Sequence, residues 1–268
     1  MSAGPSEIVR NNVKEKLARG EVVSSMTVRL VRSIEIARLA KAAGFDSIYV
    51  DVEHSSLSLE TTGQICIAAM EIGIAPFVRV PSISPEFISR VLDGGALGVI
   101  APHVASAEEA RQVVRYAKFP PIGARSYGGP LASTNFRTYP VAEANAALNE
   151  ATMVICMIET VEALDSVDAI AAVEGVDMLF IGTNDLCGDM GIPGQYGDAR
   201  VADAYARTIK ACRSRGKHVG IGGIGSRPDL IAEFVRQGAR YISTGSDLTF
   251  LIDACIKQAQ ATHAFKTS

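Results

Sequence analysis

A (β/α)8 barrel is the fold this sequence predicts, on three observations. Eight short, β-rich apolar runs recur along the chain, each followed by an amphipathic helical pattern. The 268 residues suffice for one barrel-sized domain with a large core. The first strand lacks the GxGxxG turn of a dinucleotide-binding open sheet, which counts against a doubly wound alternative. No low-complexity tract or Pro/Gly/Ser linker divides the chain, so residues 1–268 read as a single barrel domain with a short N-terminal helix.

The first strand is predicted over Val22–Val28, followed by a helix over Ser33–Ala43 that stops at Gly44. Next come strand Ser47–Val52 with helix Ser58–Ile72, strand Ala75–Val80 with helix Pro85–Leu92, and strand Ala96–Pro102 with helix Ser106–Lys118. Ser84-Pro85 and Ser106-Ala107-Glu108-Glu109 carry helix-start signals, a capping hydroxyl followed by Pro or by acids in the first turn. An irregular segment, Phe119–Tyr139, and a helix over Val141–Leu148 interrupt the alternation. It resumes with strand Thr152–Ile158 and helix Val161–Ala171, then strand Val176–Ile181, a short turn-helix and helix Arg200–Arg215. Strand Lys217–Ile221, helix Arg227–Gln237, strand Arg240–Thr244 and a last helix complete the pattern.

With 48% hydrophobic and 21% charged residues and a formal charge of −3, the chain offers no electrostatic reason to bind nucleic acid or an anionic membrane. Its longest apolar runs are strand-sized, too short for a membrane span. The first twenty residues hold six charged side chains, from Glu7 to Arg19, and no apolar stretch typical of a secretory signal, so a cytoplasmic location is expected. The scattered Cys66, Cys156, Cys187, Cys212 and Cys255 form no CxxC pair and read as reduced packing residues.

The chemistry gathers where strands end. The second strand stops in Asp51-Val52-Glu53-His54, at the end of a parallel barrel where active sites are built. His54 is suited to proton transfer near neutrality beside a carboxylate, a strand-end salt bridge being the plainer reading. Arg79, alone among apolar neighbours in the third strand, needs a partner: Asp51, Glu53, or a substrate carboxylate or enolate. The fifth and sixth strands end in Glu159 and Asp185, two carboxylates suited to a hard divalent cation, with helix capping as the plainer alternative. Gly222-Gly223-Ile224-Gly225 and Thr244-Gly245-Ser246-Asp247 close the seventh and eighth strands, where glycines bind phosphate in some barrels and serve tight turns in others.

Asp51-Val52-Glu53-His54, Arg79 before Pro81, Ile158-Glu159-Thr160 and Ile181-Gly182-x-x-Asp185-Leu186 together resemble the HpcH/HpaI family of class II pyruvate aldolases, 4-hydroxy-2-oxoheptanedioate aldolase-like, over nearly the whole chain. The resemblance implies a TIM barrel of the phosphoenolpyruvate/pyruvate superfamily whose last helix swaps between protomers, in a homo-oligomer built from dimers, up to a hexamer. It implies reversible cleavage of a 4-hydroxy-2-oxo acid to pyruvate and an aldehyde, both small molecules, through a metal-stabilised enolate. Glu159 and Asp185 would hold Mg2+, Mn2+ or Co2+. Arg79 would stabilise the pyruvate enolate, His54 oriented by Asp51 would move the 4-hydroxyl proton, and backbone N–H groups of Gly182, Thr183, Asn184 and Asp185 would receive the pyruvate carboxylate.

The chain also departs from the pattern. It has no tryptophan, and Met26 or Thr27 stands where the first strand of typical members places one. Met157 replaces a usual glutamine, Thr183-Asn184 and Cys187 alter the IGPxDLS turn, and the loop at Gly222–Gly225 is glycine-rich. The acceptor is therefore open. An enolate-forming lyase or decarboxylase on the same barrel, a phosphate-binding isomerase and a non-catalytic barrel are the other readings. Arg125 is left between acceptor binding and loop stabilisation, and His103 is expected to be peripheral.

Overall fold

The computed structural model describes residues 4–263 and 265. Eight parallel strands close into a barrel in chain order: β1 (Val23–Val28), β2 (Ser47–Asp51), β3 (Ala75–Arg79), β4 (Gly98–Ala101), β5 (Met153–Ile158), β6 (Met178–Gly182), β7 (His218–Gly222) and β8 (Tyr241–Ser246). β8 pairs with β1 and completes the ring. Each predicted strand is present, and all eight apolar runs match to within about two residues at either end. The fourth is the shortest, because its predicted ends, Ala96-Leu97 and Pro102, lie outside the ladder.

Alternation along each strand sorts the core into two layers. Ile48, Val50, Val78, Val154, Cys156, Leu179 and Ile181 face outward and pack under the surrounding helices. Tyr49, Phe77, Ile155, Met157, Phe180 and Tyr241 face inward and fill the barrel. Phe77 packs tilted and Phe180 edge-on against Tyr241 there, at centroid distances of 5.9 and 6.0 Å, and the buried Tyr241 hydroxyl donates to Ser25 Oγ at 2.7 Å. Glycine is required opposite this cluster, since a Cβ at Gly220 would lie 2.3 Å from the Phe180 ring.

Two short helices, Pro5–Ile8 and Asn12–Ala18, stand where one was expected. Asn11 separates them, capping the second through the Val13 and Lys14 N–H groups while its amide donates to the Leu97 and Ala151 carbonyls. Val9, Val13 and Leu17 thereby close the N-terminal end of the barrel and leave the other end open.

Ser106 caps its helix as expected, in a capping box with Glu109, whereas the Ser84 hydroxyl makes no capping bond. The helix expected over Val161–Ala171 is two, Val161–Asp165 and Val167–Ala171, joined at Ser166. Cys66, Cys156, Cys187 and Cys212 are buried, but Cys255 is exposed on the last helix, Asp247–His263. From Leu248 to His263 that helix is exposed throughout, carrying Leu248, Leu251, Ile252 and Ile256 on its surface. Among the described residues no helix is long and apolar enough to cross a membrane.

Candidate active site

The inward series of three strands runs on into charge at the open end. The next inward position after Tyr49 is Asp51, after Phe77 it is Arg79, and after Met157 it is Glu159, and all three charged residues are buried. The period of two that fills the barrel thus also delivers its mouth. β2 and β3 pair with Asp51 beside Arg79, and the guanidinium forks onto the carboxylate, Nε to Oδ1 at 3.0 Å and Nη2 to Oδ2 at 2.6 Å. Burial pushes the Asp51 carboxyl up, but the hydrogen bonds and charge of Arg79, with help from the His54 N–H and Arg29, hold it below its usual range.

Asp51 does not orient the His54 ring as the resemblance implies. Its Oδ1 accepts the backbone N–H groups of Glu53 and His54, both at 3.2 Å, and so shapes the turn that presents them. The carboxylate nearest the His54 ring is Glu53, with Oε2 3.6 Å from Nε2. Glu53 also faces Arg79 Nη1 at 3.0 Å and His103 Nε2 at 2.8 Å. Arg79 is therefore paired with both acids that the sequence left as alternatives.

His103 is not peripheral. Its backbone adopts φ of +56°, uncommon for a non-glycine residue, and this turns the ring across the mouth, where Nδ1 lies 3.3 Å from Glu159 Oε2. His103 thus joins Glu53 to Glu159.

Glu159 is the electrostatic outlier. Its Oε1 is buried without a hydrogen-bond partner, and Gly182 allows the close approach, since a Cβ there would lie 2.8 Å from Glu159 Cγ. Burial raises its pKa to about 7, with the charges of Glu53 and Asp185 adding to the rise and His103 and Arg79 opposing it. Asp185 sits exposed in the first turn of the helix Thr183–Asp189, where that turn lines the mouth. The leading N–H groups of a helix lack intrahelical acceptors, and here no capping side chain takes their place. The Thr183 hydroxyl is buried, accepting from Tyr205 and donating to the Gly222 carbonyl at 2.7 Å, so only its backbone is available to a ligand. Asn184 Oδ1 accepts from the Tyr196 hydroxyl at 2.7 Å.

An orphaned carboxylate oxygen with a second acid nearby fits a hard cation. Among the described residues no three His, Cys, Asp or Glu side chains form a ready metal cage, so Glu159 and Asp185 would bind as a pair with other oxygen ligands completing the shell.

Arg29 escaped the sequence reading. It follows Ser25 and Thr27 in the inward series of β1, the same signal that marked Arg79. Its Nε lies 3.1 Å from Asp51 Oδ2, and its Nη2 donates to the His54 carbonyl at 3.1 Å. Asp247, a candidate phosphate-loop residue in the sequence, instead accepts the backbone N–H groups of Arg29, Leu30 and Val31 at 2.8–3.2 Å. The glycines at 222–225 answer to packing: a Cβ at Gly225 would lie 2.2 Å from the Thr244 carbonyl oxygen, and Gly223 has φ of +84°. Arg125 is buried, bonded to Asp93 at 2.6 Å and stacked over Phe119, so it stabilises its loop.

The chain is similar to known proteins. A family model described as HpcH/HpaI aldolase/citrate lyase matches residues 30–254. The chain is 39% identical to the 4-hydroxy-4-methyl-2-oxoglutarate aldolase cghB of Chaetomium globosum, over 82% of each chain. It is 41% identical to tasA of Hapsidospora irregularis, of the same printed activity, over 80% of each. The crystal structure of an HpcH/HpaI aldolase from Desulfitobacterium hafniense superposes with a TM-score of 0.88 at 30% identity, covering 95% of this chain and 97% of that one. With the charged barrel mouth in place, the chain belongs to the HpcH/HpaI aldolase/citrate lyase family and is a carbon–carbon lyase.

Proposed function

We propose that the protein catalyses reversible, divalent-metal-dependent aldol cleavage of a 4-hydroxy-2-oxo acid to pyruvate and a carbonyl fragment. The observation that carries this reading is the division of the mouth. Glu159, with its unpartnered buried oxygen, and Asp185 lie at the ends of β5 and β6, while His54 follows β2 on the opposite side of the ring. A cation held by Glu159 and Asp185, Mg2+, Mn2+ or Co2+, would supply Lewis-acid neutralisation of charge developing on the substrate's 2-oxo oxygen.

The chain's own groups account for the rest. N–H groups of the turn from Gly182 to Asp185 receive the C1 carboxylate at the helix start. His54, with Glu53 beside its ring, takes the proton of the 4-hydroxyl. The C3–C4 bond then breaks, C4 becomes a carbonyl, and the electron pair passes into the enolate of pyruvate. Arg79, held rigid by Asp51 and Glu53, places positive charge against the enolate. A proton returned to C3 completes pyruvate.

The names of cghB and tasA point to a substrate with a second carboxylate and a methyl group on C4. From such a substrate the released fragment is a second 2-oxo acid rather than an aldehyde. The exposed apolar surface of the last helix supports a homo-oligomer; assembly from dimers, small-molecule substrates and a cytoplasmic location complete the proposal.

Pyruvate release from 4-hydroxy-2-oxo acids tests the proposal. Metal-stripped enzyme is expected to be inactive and to recover with Mg2+ or Mn2+. His54→Ala and Glu159→Ala should each lose about 10²–10⁴ in kcat. Undiminished pyruvate release after stripping would overturn the metal role.

A further inference from the structure

We infer that Arg29 is a specificity residue: it recognises a carboxylate on the hydroxyl-bearing carbon of the substrate and makes the enzyme prefer dicarboxylates. The inference rests on the aldol reading above for the placement of the substrate.

Position is the first argument. In a ring of eight strands β1 and β2 face β5 and β6, so Arg29 and His54 lie opposite the Glu159 and Asp185 side that takes the 2-oxo acid end. The Arg29 guanidinium is tied to His54 itself, through the bond from Nη2 to the His54 carbonyl. A carboxylate on C4 is one carbon from the hydroxyl that His54 serves, and so falls beside this guanidinium.

Charge is the second. Arg79 already makes the two-pronged pair with Asp51 and faces Glu53 with its remaining nitrogen. Arg29 therefore adds a cation that Asp51 does not need, and among the described residues its Nη1 has no acceptor. Its side chain is 37% exposed and lines a cavity of about 570 Å³, so the free edge is open to a ligand. Guanidinium is the group best matched to a carboxylate in two-bond geometry.

Rigidity is the third. The buried Asp247 carboxylate grips three successive backbone N–H groups, beginning with that of Arg29. A long side chain on a fixed stem loses less freedom when it engages a ligand, which favours discrimination.

The test compares probes that differ only at the distal group, with enzyme carrying Mn2+. Binding is measured for 2-oxoglutarate, which carries a carboxylate on C4, and for 2-oxopentanoate, which carries a methyl there. The wild type is expected to bind 2-oxoglutarate about 30- to 100-fold more tightly, Arg29→Gln to lose most of that ratio, and Arg29→Lys to keep part of it. In turnover, the kcat/KM preference for 4-hydroxy-4-methyl-2-oxoglutarate over 4-hydroxy-2-oxopentanoate should fall by the same factor, mainly through KM. An equal loss on both probes, or an unaltered ratio in Arg29→Gln, overturns the assignment. Absence of pyruvate release by the wild type would defeat the aldol reading, while the binding ratios would still decide for or against Arg29.

Discussion

Burial of the Glu159 carboxyl has a pH signature. Its pKa in the fold, about 7, stands above the value of about 4.3 expected in an unfolded chain. Between those values the folded state holds a proton that the unfolded state has released, so stability is greatest at low pH and is lost as pH rises through 7. The melting temperature of metal-stripped protein should therefore carry a decline from pH 5 to pH 8 that Glu159→Gln flattens. Added Mn2+ should restore the loss at pH 8. A decline that persists unchanged in Glu159→Gln would refute this. The two acids at the end of β2, Asp51 and Glu53, should separate by their effects. Asp51→Asn removes the main partner of buried Arg79 and is expected to cost about 3 kcal/mol in urea denaturation. Glu53→Gln should instead lower kcat about tenfold with a smaller loss of stability. That division was hidden in the sequence. Alternation places Asp51 and Glu53 on one side of a strand, but β2 ends at Asp51, and beyond it the chain turns around that carboxylate. The role of His103 was hidden for a similar reason, since a left-handed backbone at a strand end leaves no mark in the residue types around it.

At the scale of elements, the strands were legible and some of their connections were not. Apolar runs stop where ionisable residues begin, at Asp51, Arg79 and Glu159, so strand ends and the mouth share one signal. Arg29 carries that signal too, at the end of a strand that is only half apolar, Val23-Ser24-Ser25-Met26-Thr27-Val28, where the contrast is weak. The break at Ser166 has neither Gly nor Pro, and helical periodicity runs through it unchanged. The glycines ending β7 and β8 read as phosphate loops or as tight turns, and only the neighbouring atoms decide, as they do at Gly182 at the end of β6. Gly182 provides the test. Its Cβ would press on Glu159 Cγ at 2.8 Å and Met157 Cε at 3.1 Å. Gly182→Ala should displace the Glu159 carboxylate and weaken Mn2+ binding at least tenfold by calorimetry. Unchanged affinity would show that Glu159 does not need that space.

Across the whole molecule, the last helix does not complete the outer layer as the others do. Residues 248–263 leave Leu248, Leu251, Ile252 and Ile256 in solvent, an apolar surface rarely left uncovered. The first turn is anchored, with Phe250 stacked on Phe45 at 6.2 Å, and the remainder extends away. The proposed oligomer covers this surface. Light scattering after size exclusion should give a mass of two or more chains, and Leu251→Asp with Ile256→Asp should reduce it. A single-chain mass for the wild type at micromolar concentration would remove the oligomer from the proposal. Barrel closure was implied by eight alternations, but the ring of strands alone does not explain why the mouth holds its shape.

Asp247 supplies that explanation, and it also sets a schedule. The carboxylate that fixes Arg29, Leu30 and Val31 is made more than two hundred residues after them, just beyond the strand that pairs with β1. While the chain is being synthesised, the early turn bearing Arg29 lacks both β8 and its anchor, although β1 to β7 can already assemble. The acceptor side of the mouth is thus the last part of the protein to acquire its working form, well after the residues beside Glu159 and Asp185 have been made.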